Sequence, residues 1–279
     1  MTRISPSHPR YHSLRTRARL AAELRAGLVV PEGLIAHGRA EAFDYLLGER
    51  TTPSARRAIR RAAEWLAAAR APVISINGNV AALAPREVAR VAQGLPGLKV
   101  EVNLFHRTPG RVRAVARRLR AKGVARLYGL TPTAHIPGLP SDRSLVDANG
   151  IAAADVVVVP LEDGDRAEAL QRVGKRVIAI DLNPLSRTSR AADIPIVDEL
   201  TRALRLLAAE LPRARRAARV GVFRPYDGAG ARAQALDAIS RRLGAAAGRR
   251  QPRVGPAPRE KPAAERRRSK TGRRTRRTP

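Results

Sequence analysis

"ADVVVVPLEDGDRAEALQRVGKRVIAIDLNPLSRTSR", Ala154 to Arg190, decides the fold. Two short runs in it, Val156 to Val159 and Val177 to Ile180, are apolar at every position. A strand with one wet face alternates apolar and polar residues. A strand apolar throughout is buried on both faces, as the central strands of parallel sheets are. Between the runs, Asp165 to Val173 reads as a helix. Strand, helix and strand in that order form one crossover unit of a parallel sheet.

Further units flank this one. "PVISIN" (72–77), "KVEVNL" (99–104), "VARLYG" (124–129) and "IPIVD" (194–198) are short and rich in β-branched residues. Helices are expected between them at about Pro85 to Gln93 and Pro109 to Lys122, and after them at Asp198 to Glu210. Two helix starts carry the same signature, a threonine N-cap followed by proline at the first helical position: Thr52 with Pro53, and Thr108 with Pro109. Glycines at 27 and 123 read as helix stops. The arginines of Pro109 to Lys122 fall on the face opposite Val112, Val115 and Leu119, which reads as a solvent face. The fold class is α/β, with a doubly wound, mostly parallel sheet and N-terminal helices.

Composition narrows the rest. The 279 residues are 44% apolar but only 3% aromatic, so the core is built from Leu, Val, Ile and Ala. The absence of cysteine excludes disulfides, thiolate zinc sites and cysteine nucleophiles. No apolar run approaches the roughly 20 residues of a membrane span. The first 15 residues hold no apolar signal segment. These features predict a soluble, cytoplasmic protein. The formal net charge is +30. Beyond Leu211 lies more than half of that excess: residues 212–248 carry 8 basic and 2 acidic side chains, and 249–279 carry 13 and 2. Such charge fits either a solvated basic surface or contact with nucleic acid. The last 31 residues hold almost no large apolar side chains and are expected to be disordered. The expected division is a domain over 1–211, a basic and partly helical extension over 212–248, and a tail over 249–279.

In an open parallel sheet, ligands bind beyond the carboxyl ends of the strands. Polar groups succeed at least five of them. Asn77-Gly78-Asn79 reads as a turn or as a backbone nest for phosphate. His106 and Arg107 form a loop that could meet an anion. Asp163 and Asp165 read as helix caps or as Mg2+ ligands. Asp198 reads as an N-cap whose helix end would attract phosphate oxygens. After Ile180 comes "DLNPLSRTSR", richer than a turn requires. Asp181 and Asn183 can take ribose hydroxyls or base edges, while Arg187 and Thr188 can reach phosphates. A second dense stretch, Gly33 to Thr51, crowds His37, Arg39, Glu41 and Asp44 into one loop and helix. There Arg39 is the best phosphate contact, and His37 is either an acid–base group or a satisfied structural imidazole. Neither G-x-x-x-x-G-K-[ST] nor G-x-G-x-x-G occurs. The residues alone therefore point to a nucleotide or phosphate site and to no particular reaction.

The motifs "HPRYHSL", "GLIAHGRAEAFDYLLGERT", "NGNVAAL", "VNLFHRT", "IPGL", "VVVVPLEDGDRAEAL" and "IAIDLNPLSRTSR", in that order, resemble the archaeal 4-phosphopantoate–β-alanine ligase family, also called archaeal phosphopantothenate synthetase. The resemblance covers about His8 to Leu207 and leaves out the basic tail. It implies a Rossmann-like homodimer that joins 4-phosphopantoate to β-alanine with ATP and Mg2+ in coenzyme A synthesis. AMP and diphosphate leave by way of an acyl-adenylate. It also implies ATP contacts at Arg17, Arg39, Asp181, Leu182, Asn183, Arg187, Thr188, Glu199 and Leu200. At Glu199 the family often carries Asn, which leaves a backbone contact there. For the acid substrate the candidates are Asn77, Asn79, His106 and Arg107, since 4-phosphopantoate brings both a phosphate and a carboxylate. No general base and no metal ligand stands out. The competing reading is a basic protein that binds nucleic acid through its C-terminal tail. Scarce aromatics count against base stacking.

Overall fold

The computed structural model describes residues 5–248. The tail expected over 249–279 lies outside the described residues. Three helices lead: α1 (Tyr11–Arg25), α2 (Pro31–Leu47) and α3 (Pro53–Ala68). Then come β1 (Pro72–Ile76), α4 (Gly78–Leu83), α5 (Pro85–Gly94), β2 (Lys99–Val102), α6 (Pro109–Arg120) and β3 (Leu127–Tyr128). A small hairpin is next, β4 (Ala134–His135) and β5 (Leu145–Val146). The second half runs β6 (Val156–Pro160), α7 (Gly164–Arg172), β7 (Arg176–Ile180), α8 (Arg187–Ala191), β8 (Ile194–Ile196), α9 (Leu200–Ala217) and α10 (Gly228–Ala247).

The six strands read from the sequence form one sheet in the order β3-β2-β1-β6-β7-β8, and every neighbouring pair is parallel. The all-apolar runs are central, as expected. Val156 and Val158 of β6, with Ile178 and Ile180 of β7, pack into a core shared with α3, α5 and α9. Val157, Val159, Val177 and Ala179 face the other way, onto Ala167 and Leu170 of α7 and onto Ile136 and Val146 around the hairpin. All eight strand side chains are completely buried. Each such aliphatic burial is worth roughly 1.5–3 kcal/mol before entropy is counted. This is a doubly wound α/β sheet.

The threonine caps form as expected. Thr52 Oγ1 accepts from Ala55 N at 3.2 Å, and Thr108 Oγ1 accepts from Arg111 N at 3.2 Å. Gly27 and Gly123 take positive φ, 72° and 96°. The cap of α9 differs from expectation: it is Glu199, whose carboxylate accepts from Thr201 N and Arg202 N at 2.9 Å each. Asp198 is occupied elsewhere. It accepts from Thr51 Oγ1 at 2.6 Å and pairs with Arg202 at 2.9 Å, which fastens the end of β8 to the start of α3.

Helix α9 does not stop near Glu210. It runs through Leu211 and Pro212 to Ala217. Proline inside a helix forfeits a hydrogen bond; here Leu211 and Ala214 are both buried in the main core and offset that loss. Helix α10 buries Ala231, Ala235 and Ile239 at helical spacing. Ala235 and Ile239 meet Leu47, Leu182 and Val197, so this helix supports the segments just beyond β7 and β8.

Glu101 of β2 ties the sheet to the hairpin region. Its fully buried carboxylate accepts from Asp147 N at 3.0 Å and Ile151 N at 2.6 Å. Gly150 makes room for it, because a Cβ there would lie 1.9 Å from Glu101 Oε2. Burial pushes this carboxyl from 4.5 up to about 7. The folded chain therefore holds a proton that the unfolded chain releases between those values. The contribution of this group is fully present below pH 4.5 and is lost as pH rises through about 7. The contribution is about 3 kcal/mol across that window. Glu101→Gln cannot titrate. Urea unfolding of both proteins at about pH 4.5 and about pH 7.5 should show the wild type losing about 3 kcal/mol more than the variant; equal losses would contradict this.

Candidate active site

Strands β1 and β6 lie side by side, but the chain leaves them in opposite directions. From β1 it proceeds to β2 and β3 on one side; from β6 it proceeds to β7 and β8 on the other. Such a switch opens a crevice at the carboxyl ends. A cavity of about 900 Å³ occupies this position.

One end of the cavity is the loop after β7. Asp181 is its organiser: Oδ1 accepts from Asn183 N at 2.9 Å, and Oδ2 accepts from Ser186 Oγ. Asn183 Oδ1 accepts from Leu185 N at 2.9 Å. Ser186 in turn caps α8 by accepting from Ser189 N at 2.9 Å. The loop is thus ordered by its own side chains. Burial pushes the Asp181 carboxyl up, while its hydrogen bonds and the charge of Arg39 act against that. Asp181, Leu182, Asn183, Arg187 and Thr188 all line the cavity, as do Glu199 and Leu200 after β8. Thr188, however, donates its hydroxyl to Glu162 O at 2.7 Å and is buried, so the hydroxyl is committed to the fold. Arg187 is exposed and pairs with Glu168 at 2.8 Å.

The middle of the floor is the end of β6. Glu162, 1% exposed at its side chain, receives Arg143 Nη1 at 2.8 Å and the fully buried Arg166. Arg166 also donates to Ser75 Oγ of β1 at 2.9 Å. Asp163 sits at the N-cap position of α7 without making a side-chain cap. Its carboxylate is more than half exposed, 3.8 Å from Arg143, and burial of the site and the neighbouring Glu162 push it up. Asp165 falls in the first turn of α7.

The other end belongs to β1 and β2. Asn77 is neither a turn residue nor part of a nest. Its Oδ1 caps α4 by accepting from Val80 N at 3.0 Å, and its Nδ2 donates to Pro160 O and Leu161 O at 3.2 and 2.9 Å. The amide is spent on joining the tips of β1 and β6. Gly78 is needed there, since a Cβ would lie 2.4 Å from Leu28 O. Asn79 donates to Gly33 O at 2.8 Å and keeps a place on the cavity wall. His106 also lines the cavity, with its ring edge-on to Phe105. Arg107 is directed away from it: its guanidinium donates to Gly129 O and Leu130 O at 2.6 and 3.0 Å, clamping the loop after β3.

Helix α2 forms a wall. His37 and Arg39 line the cavity from it. The expectation of a satisfied His37 fails at one atom: Nε2 is buried with no partner among the described residues. Burial holds this imidazole below its ordinary value against the pull of Glu41 and Glu199. Arg17 stands behind the wall, pairing with Glu41 at 2.6 Å. Of the thirteen residues nominated from the sequence, eleven line the cavity; Arg17 and Arg107 do not.

Three charged lining residues escaped the sequence reading, Glu32, Arg111 and Arg143. Arg111 belongs to α6, whose arginines read as a solvent face, yet its Nη2 reaches back to Leu28 O at 3.3 Å. Arg143 lies in a short 3-10 turn over residues 142–144, where no periodicity marks a side chain as buried. The one available signal for Arg111 was its place in the first turn of α6, close to His106. Chemically, the cavity offers separated cations above a floor of committed polar groups. This suits a large polyanion and a second anionic ligand.

Comparison with known proteins places this architecture. The family model described as "Phosphopantothenate/pantothenate synthetase" matches residues 54–242, which span the whole sheet. A 4-phosphopantoate–β-alanine ligase of Thermococcus onnurineus is 52% identical over 231 residues, covering 81% of this chain and 88% of the relative. Its counterpart in Methanospirillum hungatei is 52% identical over 240 residues, 86% of this chain and 98% of the relative. That of Thermococcus kodakarensis is 54% identical over 204 residues, 73% and 78%. With half of its positions shared over nearly the full length of such relatives, the chain belongs to the phosphopantothenate/pantothenate synthetase family.

Proposed function

We propose that this protein is an ATP-dependent ligase that condenses 4-phosphopantoate with β-alanine to 4'-phosphopantothenate, a step of coenzyme A synthesis. The observation that carries the reading is the identity of about half to relatives bearing that name, over 86% of this chain and 98% of the relative in one case. The substrate carboxylate attacks the α-phosphorus of ATP and diphosphate departs. The β-alanine amine then attacks the acyl carbon of the mixed anhydride, and AMP departs with the acyl C–O bond broken. Both steps need in-line placement and fixed cations more than a protein nucleophile.

ATP is assigned to the β7–β8 half, against Asp181, Leu182 and Asn183, with its phosphates toward Arg39 and Arg187 and its edge near Glu199 and Leu200. The preordered loop after β7 supports this, because little entropy remains to be lost on binding. The Thr188 hydroxyl supports the loop and does not itself reach the phosphates. Arg17 acts through Glu41 and α2. Mg2+ would arrive with the triphosphate. Among the described residues no three His, Asp or Glu side chains gather, so phosphate and water oxygens would complete its shell, with the half-exposed Asp163 a lining carboxylate that could join it. A homodimer is proposed on family resemblance alone.

No helix among the described residues is long and apolar enough to cross a membrane. The reading as a nucleic-acid-binding protein is not favoured: the matched residues 54–242 belong to an enzyme family, and the tail lies outside the described residues. Purified protein given ATP, 4-phosphopantoate and β-alanine together should release AMP and diphosphate, and omitting either partner should stop amide formation. Release of ADP would reject adenylation. Loss of activity on deleting 249–279 would show that the tail is part of the enzyme.

A further inference from the structure

We propose that Arg111 and Arg143 form the anchor for the phosphate of the acid substrate, the end of 4-phosphopantoate remote from its reacting carboxylate. The inference rests on the ligase reading above and assigns a residue pair that the resemblance does not supply. The nucleotide loops occupy the β7–β8 half of the cavity, and the end of β6 forms its middle. The acid must bring its carboxylate to that middle from the opposite half, over β1 and β2. There the cavity wall carries two guanidinium groups, Arg111 from α6 and Arg143 from the turn before β5.

Both groups are held in place and incompletely used. Arg111 donates to His106 O and to Leu28 O, the latter at 3.3 Å, which fixes its plane. Arg143 is buried, with 6% of its surface exposed, and donates to Glu162 at 2.9 Å and weakly to Asn103 O at 3.5 Å. The Nε of each is buried with no partner among the described residues. Buried donors of this kind are costly to leave unmade. The two cations also act on one another: burial first, and then the charge of Arg143, hold Arg111 below its ordinary value. Arg143 and Arg166 share Glu162, and Asp163 lies 3.8 Å from Arg143, whereas Arg111 makes no ion pair among the described residues and feels only the charge of Glu32 on the same wall. Arg111 is thus the cation of this wall without a direct counter-ion, and the planar forks of Arg111 and Arg143 match phosphate oxygens. Arg107, directed onto backbone carbonyls, has no part in this anchor.

The anchor makes the phosphate a condition of binding. Pantoate, which lacks it, leaves the remaining donors of both arginines, the buried Nε of each among them, without an anionic partner, and a site built to hydrogen-bond a group rejects the analogue without it. The test compares wild type and Arg111→Gln as full chains, in turnover with all three substrates and in calorimetric titration with 4-phosphopantoate alone. No turnover by the wild type would remove the ligase reading itself. Given turnover, Arg111→Gln should raise the KM and Kd for 4-phosphopantoate about 20-fold or more. The KM values for ATP and β-alanine should stay within about 3-fold, and the preference for 4-phosphopantoate over pantoate should shrink by the same factor as binding. An unchanged Kd for 4-phosphopantoate, or a rise borne by ATP or β-alanine, would overturn the assignment while leaving the ligase intact. Should Arg111→Gln not fold, Arg111→Lys keeps the charge, loses the fork and reads the same quantities.

Discussion

Glu162→Ala is expected to lower the unfolding free energy by about 3–5 kcal/mol, the usual cost of removing one partner from a buried ion pair. The reason is geometric. Glu162 is the shared counter-ion of Arg143 and Arg166, and its side chain is 1% exposed. Without it, the nearly buried Arg143 and the fully buried Arg166 lose their shared counter-ion. Arg166 is fully buried, and its Nε and Nη2 already lack partners among the described residues. It has no route to solvent. Urea denaturation measures the effect, and Asp163→Asn supplies the control. Asp163 is adjacent, but its side chain is more than half exposed and 3.8 Å from Arg143, so its change should fall within about 0.5 kcal/mol. A loss below about 1 kcal/mol for Glu162→Ala would mean that water or a rearranged arginine compensates the charge.

Arg39→Ala carries the second large effect, on nucleotide use and not on stability. Arg39 projects from α2, is exposed, and makes no hydrogen bond or ion pair among the described residues. Its charge nonetheless reaches Asp181 across the cavity. A cation so free costs the fold nothing to remove. If it closes on the triphosphate, the lost charge-assisted contact is worth about 1.5–3 kcal/mol, or roughly 10- to 100-fold in the KM for ATP. Steady-state kinetics with ATP varied, at saturating acid and amine, reads it directly. Thermal unfolding without ligand should be unchanged. An unaltered KM would remove Arg39 from the nucleotide site.

The sheet was legible because buried parallel strands leave a mark that tolerates little ambiguity. Val156 to Val159 has no polar residue to turn toward water, and the threonine–proline starts of α3 and α6 fix where helices begin. The hairpin of β4 and β5 left no mark, because two-residue strands have no periodicity to detect. Helix α4 was missed for a related reason. Asn-Gly-Asn has the composition of a turn, and only the backbone geometry reveals that Asn77 begins a helix. Most of the cavity lining could be found in the residues just beyond each strand, since the fold brings those ends together. Arg111 and Arg143 could not, because their value comes from side-chain direction and from a charge partner far along the chain. The misjudged cap of α9 has a similar cause. Asp198 and Glu199 are equally good acidic caps on paper, and the distant Thr51 and Arg202 decide between them.

The Asn77 amide has one further consequence. With its oxygen on Val80 N and its nitrogen on the carbonyls ending β6, it rivets the two halves of the sheet together at the point where they would otherwise part. On the proposed reading, the bed on which the nucleotide and the acid would meet is therefore an anvil and not a jaw. If the ligase reaction runs as proposed, bringing the two reactants together asks for no folding of one lobe upon another, and the motion that would shelter the anhydride from hydrolysis is left to the rim.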